Sequence, residues 1–216
     1  MAGIVFGGYV AQEAGVPKLT AAYILASVMI WMYPSVFKNQ ILTGNIVIAT
    51  LSALVPMAVL IDIPPIYGFY GQSAINLNTA VFRISGFSVF IFATVLSREI
   101  IKDIEEFETD DYYDWKTLPF VMGAAFAKRA VIGVNAAIIL MLCFLHVFFM
   151  RGLACLFSFF YMLPLMIVPL VFISRKVHKA IDGDDYRRAG NPVKLVILAG
   201  IVYCGILRFI ADNFPY

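Results

Sequence analysis

Long apolar segments dominate this sequence and decide what it can fold into. Six runs approach or reach the roughly 20 residues that an α-helix needs to cross a bilayer, namely residues 20–36, 43–61, 80–97, 130–149, 152–174 and 193–211. Apolar residues make up 62% of the chain and charged residues 14%, whereas soluble domains have about 45–50% and 25%. We therefore predict an all-α fold, a polytopic transmembrane helix bundle that forms a single integral membrane domain over residues 1–216.

The first segment, residues 1–11, is apolar but short. A helix over it would cover only about 16 Å, roughly half of the hydrocarbon core. It also lacks the positively charged start of a signal peptide. We expect it to be the second half of a transmembrane helix, in a chain that begins partway through its fold.

An acidic stretch, residues 98–110, follows the third apolar run directly. A helix continued through it at about 100° per residue would place four carboxylates on one face, those of Glu99, Asp103, Glu106 and Asp110. Like charges at this spacing repel each other, and the basic residues Arg98 and Lys102 are expected to point elsewhere. The stripe therefore favours a bound divalent cation.

The chemistry of this stretch suits a diphosphate. Carboxylate oxygens are hard ligands for Mg²⁺, which usually binds through one or two carboxylates together with substrate phosphates. Lys102 and Lys116 are placed to neutralise a pyrophosphate, and the aromatic residues at positions 112, 113 and 115 suit a lipid tail. A solvated acidic loop remains the alternative on composition alone, because charge runs are usually solvated.

Basic residues indicate the orientation. Alternate loops, one at Lys38 and two at residues 98–129 and 175–194, contain most of the chain's 16 Lys and Arg residues. Because positive residues accumulate in cytoplasmic loops, we expect the acidic stretch to face the cytoplasm. The bilayer is the expected surrounding, and no nucleic-acid partner is expected.

Residues 98–110, followed by Y-D-W-K-T-L-P at 113–119, resemble the second aspartate-rich motif of the UbiA superfamily of intramembrane prenyltransferases. That motif often reads R-E-I-I-K-D-I-E-D-x-E-G-D and then Y-G-x-R-T-L-P. Residues 33–38 and 42–56 resemble the family's tyrosine and lysine segment and its G-N-x-x-V-A helix. The resemblance implies about seven of the family's nine helices, without the first two helices and the first aspartate-rich motif.

The resemblance also implies an activity, the Mg²⁺-dependent transfer of a prenyl group from an allylic prenyl diphosphate to a lipophilic acceptor, with release of pyrophosphate. The implied metal ligands are Asp103, Glu106 and Asp110. The residues expected to balance the leaving pyrophosphate are Lys102, Lys116 and Lys38. The aromatic residue expected to shield the allylic cation through cation–π attraction is Tyr33.

Two positions depart from the family's motif. Glu106 replaces an aspartate and has one more methylene, and Thr109 replaces a glycine.

Two alternatives stay open, an inactive prenyltransferase fragment and a membrane transporter or channel with an acidic cytoplasmic mouth. Charges in mid-span would favour transport, but Lys38, Arg83 and Asp103 fall near helix ends. The acceptor, the prenyl chain length and the oligomeric state are left open by the sequence.

The remaining polar residues are expected to be structural. Three cysteines lie singly within apolar runs, Cys143, Cys155 and Cys204, without the spacing of metal ligands. His146 has no second histidine at ligand spacing. The acidic tetrad at residues 182–185 predicts a solvated turn with Gly183 at its tip.

Overall fold

The computed structural model of the 216-residue chain describes residues 2–13, 15, 17–37, 40–58, 60, 77–107, 116–149 and 152–213. In these ranges every regular element is helical. The helices are α1 (Ala2–Glu13), α2 (Pro17–Met32), α3 (Thr43–Met57), α4 (Leu77–Glu105), α5 (Leu118–Met122), α6 (Ala124–Phe149), α7 (Gly152–Met162), α8 (Val168–Lys179) and α9 (Gly183–Asn213).

Two π-helical segments, Tyr33–Phe37 and Leu163–Ile167, follow α2 and α7. Each contains a proline, which has no backbone N–H to donate within a helix. A single wider turn of this kind keeps the helix continuous around such a residue. The second segment joins α7 to α8, so that the chain is helical from Gly152 to Lys179.

Four helices in the described ranges are long and apolar enough to cross a membrane, over Val81–Glu105, Ala124–Phe148, Cys155–Lys179 and Gly183–Leu207. They correspond to the last four predicted runs. Shorter apolar helices, Leu19–Met32 and Thr43–Met57, occupy the first two. The prediction of an all-α polytopic membrane bundle is confirmed, although only four of the six runs form helices of spanning length in the described ranges.

The chain divides into two compact units, residues 1–92 and 93–216, and the single membrane domain stays a prediction. In the first unit, α1 packs against α2. A Cβ atom added to Gly7 would lie 3.0 Å from the Tyr23 ring, so glycine permits this close approach. One side of α3 is buried, at Gly44, Asn45, Ala49 and Ala53.

In the second unit, α8 packs against both α6 and α9, and polar side chains link three helices. Ser97 Oγ of α4 donates to Asn135 Oδ1 of α6 at 2.7 Å, and Asn135 Nδ2 donates to Ser174 Oγ of α8 at 3.0 Å. Ser174 Oγ in turn donates to the Leu170 carbonyl at 2.8 Å. Asn135 is fully buried, and its amide satisfies polar groups on both neighbouring helices.

The predicted inner loop at residues 175–194 is mostly helical. Helix α8 continues to Lys179 and α9 begins at Gly183, so only residues 180–182 connect them. The Ala180 carbonyl accepts hydrogen bonds from Lys128 Nζ at 2.7 Å and from the Tyr186 hydroxyl at 3.2 Å. The first bond holds the short connection against the start of α6, and the second holds it against the first turn of α9.

The acidic tetrad is solvated, as predicted. Asp182 and Asp184 are exposed, and Asp185 is half-buried. The Ile181 backbone N–H donates to Asp185 Oδ2 at 3.3 Å. Gly183 is the first residue of α9 and not the tip of the turn.

Replacing Asn135 with leucine should destabilise the second unit. The substitution would remove the partner of both Ser97 and Ser174, and interhelical hydrogen bonds of this kind contribute about 0.6–2 kcal/mol each in a membrane. Thermal unfolding of the detergent-solubilised protein measures the effect. Asn191→Leu, at an exposed position of α9, is the matched control, and equal melting temperatures for the two variants would contradict this role of Asn135.

Candidate functional site

Helix α4 continues past its apolar span into the acidic stretch, as predicted. It ends at Glu105, and the Glu106 backbone N–H still donates to the Lys102 carbonyl at 2.9 Å. Asp103 and Glu106 are three residues apart on this helix and therefore lie on one face. Both side chains are half-buried. The end of a membrane-length helix thus carries two neighbouring carboxylates.

The basic residues of the stretch do not point elsewhere, so that prediction was wrong. Arg98 Nη1 lies 2.5 Å from Glu99 Oε1, and Lys102 Nζ lies 3.6 Å from Glu106 Oε1. Lys102 reaches Glu106 because its long flexible side chain spans one helical turn, the i, i+4 spacing. The repulsion among the carboxylates is therefore partly offset within α4 itself.

Glu99 is more deeply buried than Asp103 and Glu106. The Glu99 side chain is 9% exposed beside Arg98, whereas that of Glu106 is 35% exposed. Breaking a buried ion pair leaves an uncompensated charge and is strongly destabilising. The less buried Lys102–Glu106 pair, at i, i+4 spacing on a helix, contributes about 0.5 kcal/mol or less. Glu106 is therefore the more accessible of the two carboxylates, while Glu99 is held inside the protein.

Lys116 lies where the chain passes from solvent into the protein. Its side chain is exposed, and the next three residues, Thr117, Leu118 and Pro119, are buried. Pro119 lies in the first turn of α5, where a missing N–H is tolerated. Gly123, between α5 and α6, has φ +83°, a conformation that other residues rarely adopt.

Two of the predicted site residues, Asp110 and Lys38, lie outside the described residues. Tyr33 is described as the first residue of the first π-helical segment and is half-buried. Within the described ranges no group of three or more His, Cys, Asp or Glu side chains could hold a metal ion. The predicted trio of magnesium ligands has only two members in those ranges, so it stays a prediction.

The two described carboxylates fit magnesium by their donor chemistry. Asp103 and Glu106 offer hard oxygen atoms from one helix face, and Mg²⁺ commonly takes one or two protein carboxylates. Both are half-buried at the end of an apolar helix that is long enough to cross a membrane.

Three curated proteins with the same name are similar to this chain. The digeranylgeranylglyceryl phosphate synthase of Methanosphaera stadtmanae is 27% identical over 170 residues, 79% of this chain and 53% of that protein. Those of Thermococcus sibiricus and Pyrococcus furiosus are each 34% identical, over 98 and 113 residues. These two alignments cover 45% and 52% of this chain, and 30% and 33% of the relatives.

The chain is similar to these proteins, which are UbiA-type prenyltransferases. The predicted resemblance is thereby confirmed. The chain spans about half the length of the relative from Methanosphaera stadtmanae. No family model matches it. No solved structure matches it either.

The chain also contains a polar cluster near the C-terminal end of α6 that its sequence did not predict. His146 Nδ1 lies 3.2 Å from Ser158 Oγ, and His146 Nε2 lies 3.3 Å from Cys155 Sγ. Ser158 Oγ also hydrogen-bonds the Tyr203 hydroxyl. Both ring nitrogens of His146 have partners, as expected of a structural histidine, while Cys155 is more than an isolated packing residue.

Glycines of α9 permit close contact with the end of α4. A Cβ atom added to Gly183 would lie 3.3 Å from the Glu105 carbonyl oxygen, and one added to Gly190 would lie 3.2 Å from Ile101 Cγ2. Ile101 is 1% exposed and has little room to move. The position of the acidic stretch therefore depends on small residues in α9.

A leucine at position 190 should destabilise the protein, because it would overpack the contact with Ile101 at a cost of about 1–3 kcal/mol. Gly205→Leu in the same helix is the control, since an added Cβ there meets no atom of the described residues within 4 Å. The control should be neutral or stabilising, because leucine is a better helix former than glycine. Thermal unfolding compares the two, and a larger loss for Gly205→Leu would contradict the packing argument.

Proposed function

We propose that this protein transfers a prenyl group from an allylic prenyl diphosphate to a lipophilic acceptor and releases pyrophosphate, with Mg²⁺ as cofactor. The observation that carries the proposal is the half-buried carboxylate pair of Asp103 and Glu106 at the end of a membrane-length helix. Relatives named digeranylgeranylglyceryl phosphate synthases support it. Their name favours a glyceryl phosphate lipid as the acceptor.

The shape of the substrate agrees with this placement. A prenyl diphosphate has an apolar tail and a highly charged head. Helix α4 is apolar over the part that spans the bilayer and acidic only at its end. A tail among the membrane helices would leave the diphosphate level with Asp103 and Glu106. Two carboxylates and the several negative charges of a diphosphate at one place require a cation, which is the role of magnesium here.

Each residue of the site has a distinct role in the proposal. Asp103 and Glu106 would hold Mg²⁺, with Asp110 as a further ligand implied by the resemblance. Bound there, the ion would stabilise the negative charge that develops on the departing pyrophosphate. Lys102, 3.6 Å from Glu106, holds an ammonium group beside the carboxylates, and Lys116 adds a second at the start of α5. Such preorganised charge is commonly worth several kcal/mol of barrier.

The resemblance alone supports the roles of Tyr33 and Lys38. The Tyr33 ring would shield the allylic cation through cation–π attraction, and Lys38 would balance charge on pyrophosphate. The distribution of Lys and Arg supports a cytoplasmic position of the acidic end. We place the protein in the membrane as a multi-pass enzyme with this orientation.

Replacing Asp103 with asparagine should lower Mg²⁺-dependent pyrophosphate release by about 100-fold or more, because the amide keeps the shape but removes the charge that attracts the ion. The assay uses the full chain in proteoliposomes with a prenyl diphosphate and a glyceryl phosphate lipid. Glu106→Gln should give a similar loss. Asp184→Asn, at an exposed position, is the matched control and should retain wild-type release.

Equal Mg²⁺-dependent release from Asp103→Asn and Asp184→Asn would contradict the metal assignment. Wild-type protein that releases no pyrophosphate would support the inactive-fragment alternative. Cation flux across the same proteoliposomes without prenyl transfer would favour the transporter alternative.

A further inference from the structure

The Thr117 hydroxyl is a buried polar group without a hydrogen-bond partner among the described residues. Thr117 is 3% exposed. Its Oγ1 is the one buried side-chain oxygen or nitrogen found without a hydrogen-bond partner in the part of the chain that the structure describes. Buried polar groups in native proteins are nearly always paired, and each exception calls for an explanation.

Helix capping does not explain the hydroxyl. Thr117 precedes α5 in the N-cap position with an extended backbone, φ −74° and ψ 166°. A threonine there usually accepts a hydrogen bond from a backbone N–H in the first turn, but the Thr117 side chain makes no such bond. The N2 residue, Pro119, has no N–H to offer. The Thr117 carbonyl instead serves the helix, because it accepts from the Val121 N–H at 3.1 Å.

Packing does not explain it either. Valine has nearly the same shape as threonine and would fill this position without a polar atom to desolvate. The hydroxyl is therefore unfavourable for the folded protein alone and favourable only when a partner reaches it. A hydroxyl donates one hydrogen bond, so the expected partner is an acceptor atom of a bound molecule.

The neighbouring residue indicates which acceptor. Lys116 is exposed and carries a positive charge directly before the buried hydroxyl. A group that satisfies both residues is an anion with several acceptor oxygens, one facing the ammonium and another facing the hydroxyl. Diphosphate has this chemistry, and charge-assisted hydrogen bonds to phosphate oxygens are stronger than neutral ones.

We propose that Thr117 is a diphosphate-binding residue, whose hydroxyl donates a hydrogen bond to a phosphate oxygen of the prenyl diphosphate beside the Lys116 ammonium. The inference rests on the proposed function and adds a residue to its substrate site. In this proposal the two residues at the start of α5 have different roles. The exposed lysine attracts the anion, and the buried threonine donates a hydrogen bond to one of its oxygen atoms.

The test uses the full chain in lipid nanodiscs and three variants. Thr117→Val removes the hydroxyl and keeps the shape, Thr117→Ala removes it if the valine variant does not fold, and Thr117→Ser retains it. Calorimetric titration with inorganic pyrophosphate and Mg²⁺ gives the affinity for the diphosphate group alone. The KM for prenyl diphosphate in pyrophosphate release reports the same contact in the substrate.

We expect Thr117→Val and Thr117→Ala to weaken pyrophosphate binding about tenfold or more and to raise the KM similarly, because a charge-assisted hydrogen bond is lost. Thr117→Ser should remain within about threefold of wild type. Without pyrophosphate, the melting temperature of Thr117→Val should be equal to or above that of wild type. A purely structural hydroxyl, for example one paired with a buried water, predicts a lower melting temperature and an unchanged affinity.

Two negative outcomes are distinguishable. Wild-type protein that binds pyrophosphate and releases it from prenyl diphosphate, with unchanged affinity and KM in Thr117→Val, would overturn this inference and leave prenyl transfer standing. Wild-type protein that neither binds nor releases pyrophosphate would overturn both proposals.

Discussion

The absence of water in the bilayer core is the constraint on which this structure depends, because every polar group placed there needs a partner within the protein. The Asn135 amide has hydrogen-bond partners in Ser97 and Ser174, so that the three residues link three helices. The two ring nitrogens of His146 have partners in Ser158 and Cys155. Helical backbones satisfy their own hydrogen bonds, so the remaining polar side chains mark either interhelical contacts or sites for ligands.

That distinction separates the polar residues of the second unit. Asn135 and His146 hold helices together and have their partners in the described protein. Asp103 and Glu106 lie half-buried at the C-terminal end of the apolar helix α4, where Glu106 forms an ion pair with Lys102. Buried interhelical groups such as Asn135 are costly to disturb, whereas half-buried carboxylates at a helix end are more accessible from outside the bundle. A site that must bind and release a charged headgroup needs accessible groups of this kind.

Periodic features were predictable from the sequence. The apolar runs gave the helical class, and the i, i+3 spacing of Asp103 and Glu106 gave their common face, because both depend only on residues near in sequence. The basic residues at 175–194 predict a loop, but charged side chains also suit the ends of helices, and α8 and α9 together occupy most of this range. The pairing of Lys102 with Glu106 was not predicted, because i, i+4 spacing permits an ion pair along a helix but does not require one.

Contacts between distant residues could not be predicted. The Ser158–Tyr203 hydrogen bond joins positions 45 residues apart, and no local sequence pattern predicts it. The unpaired hydroxyl of Thr117 was equally hidden, since its burial depends on the packing of α5 and not on the motif around it. Asp110 and Lys38 were identified through the resemblance and lie outside the described residues, so their roles remain predictions.

The approach of Gly183 to the Glu105 carbonyl also has an electrostatic consequence. The aligned peptide dipoles of a helix place about half a positive elementary charge at its N-terminus and half a negative charge at its C-terminus. The positive pole of α9 therefore lies against the negative pole of α4. This pairing of opposite poles lets α4 end in a row of acidic side chains that would otherwise add to the negative charge of its own terminus. Glycine keeps the poles close, and a larger residue there would leave the acidic end more negative.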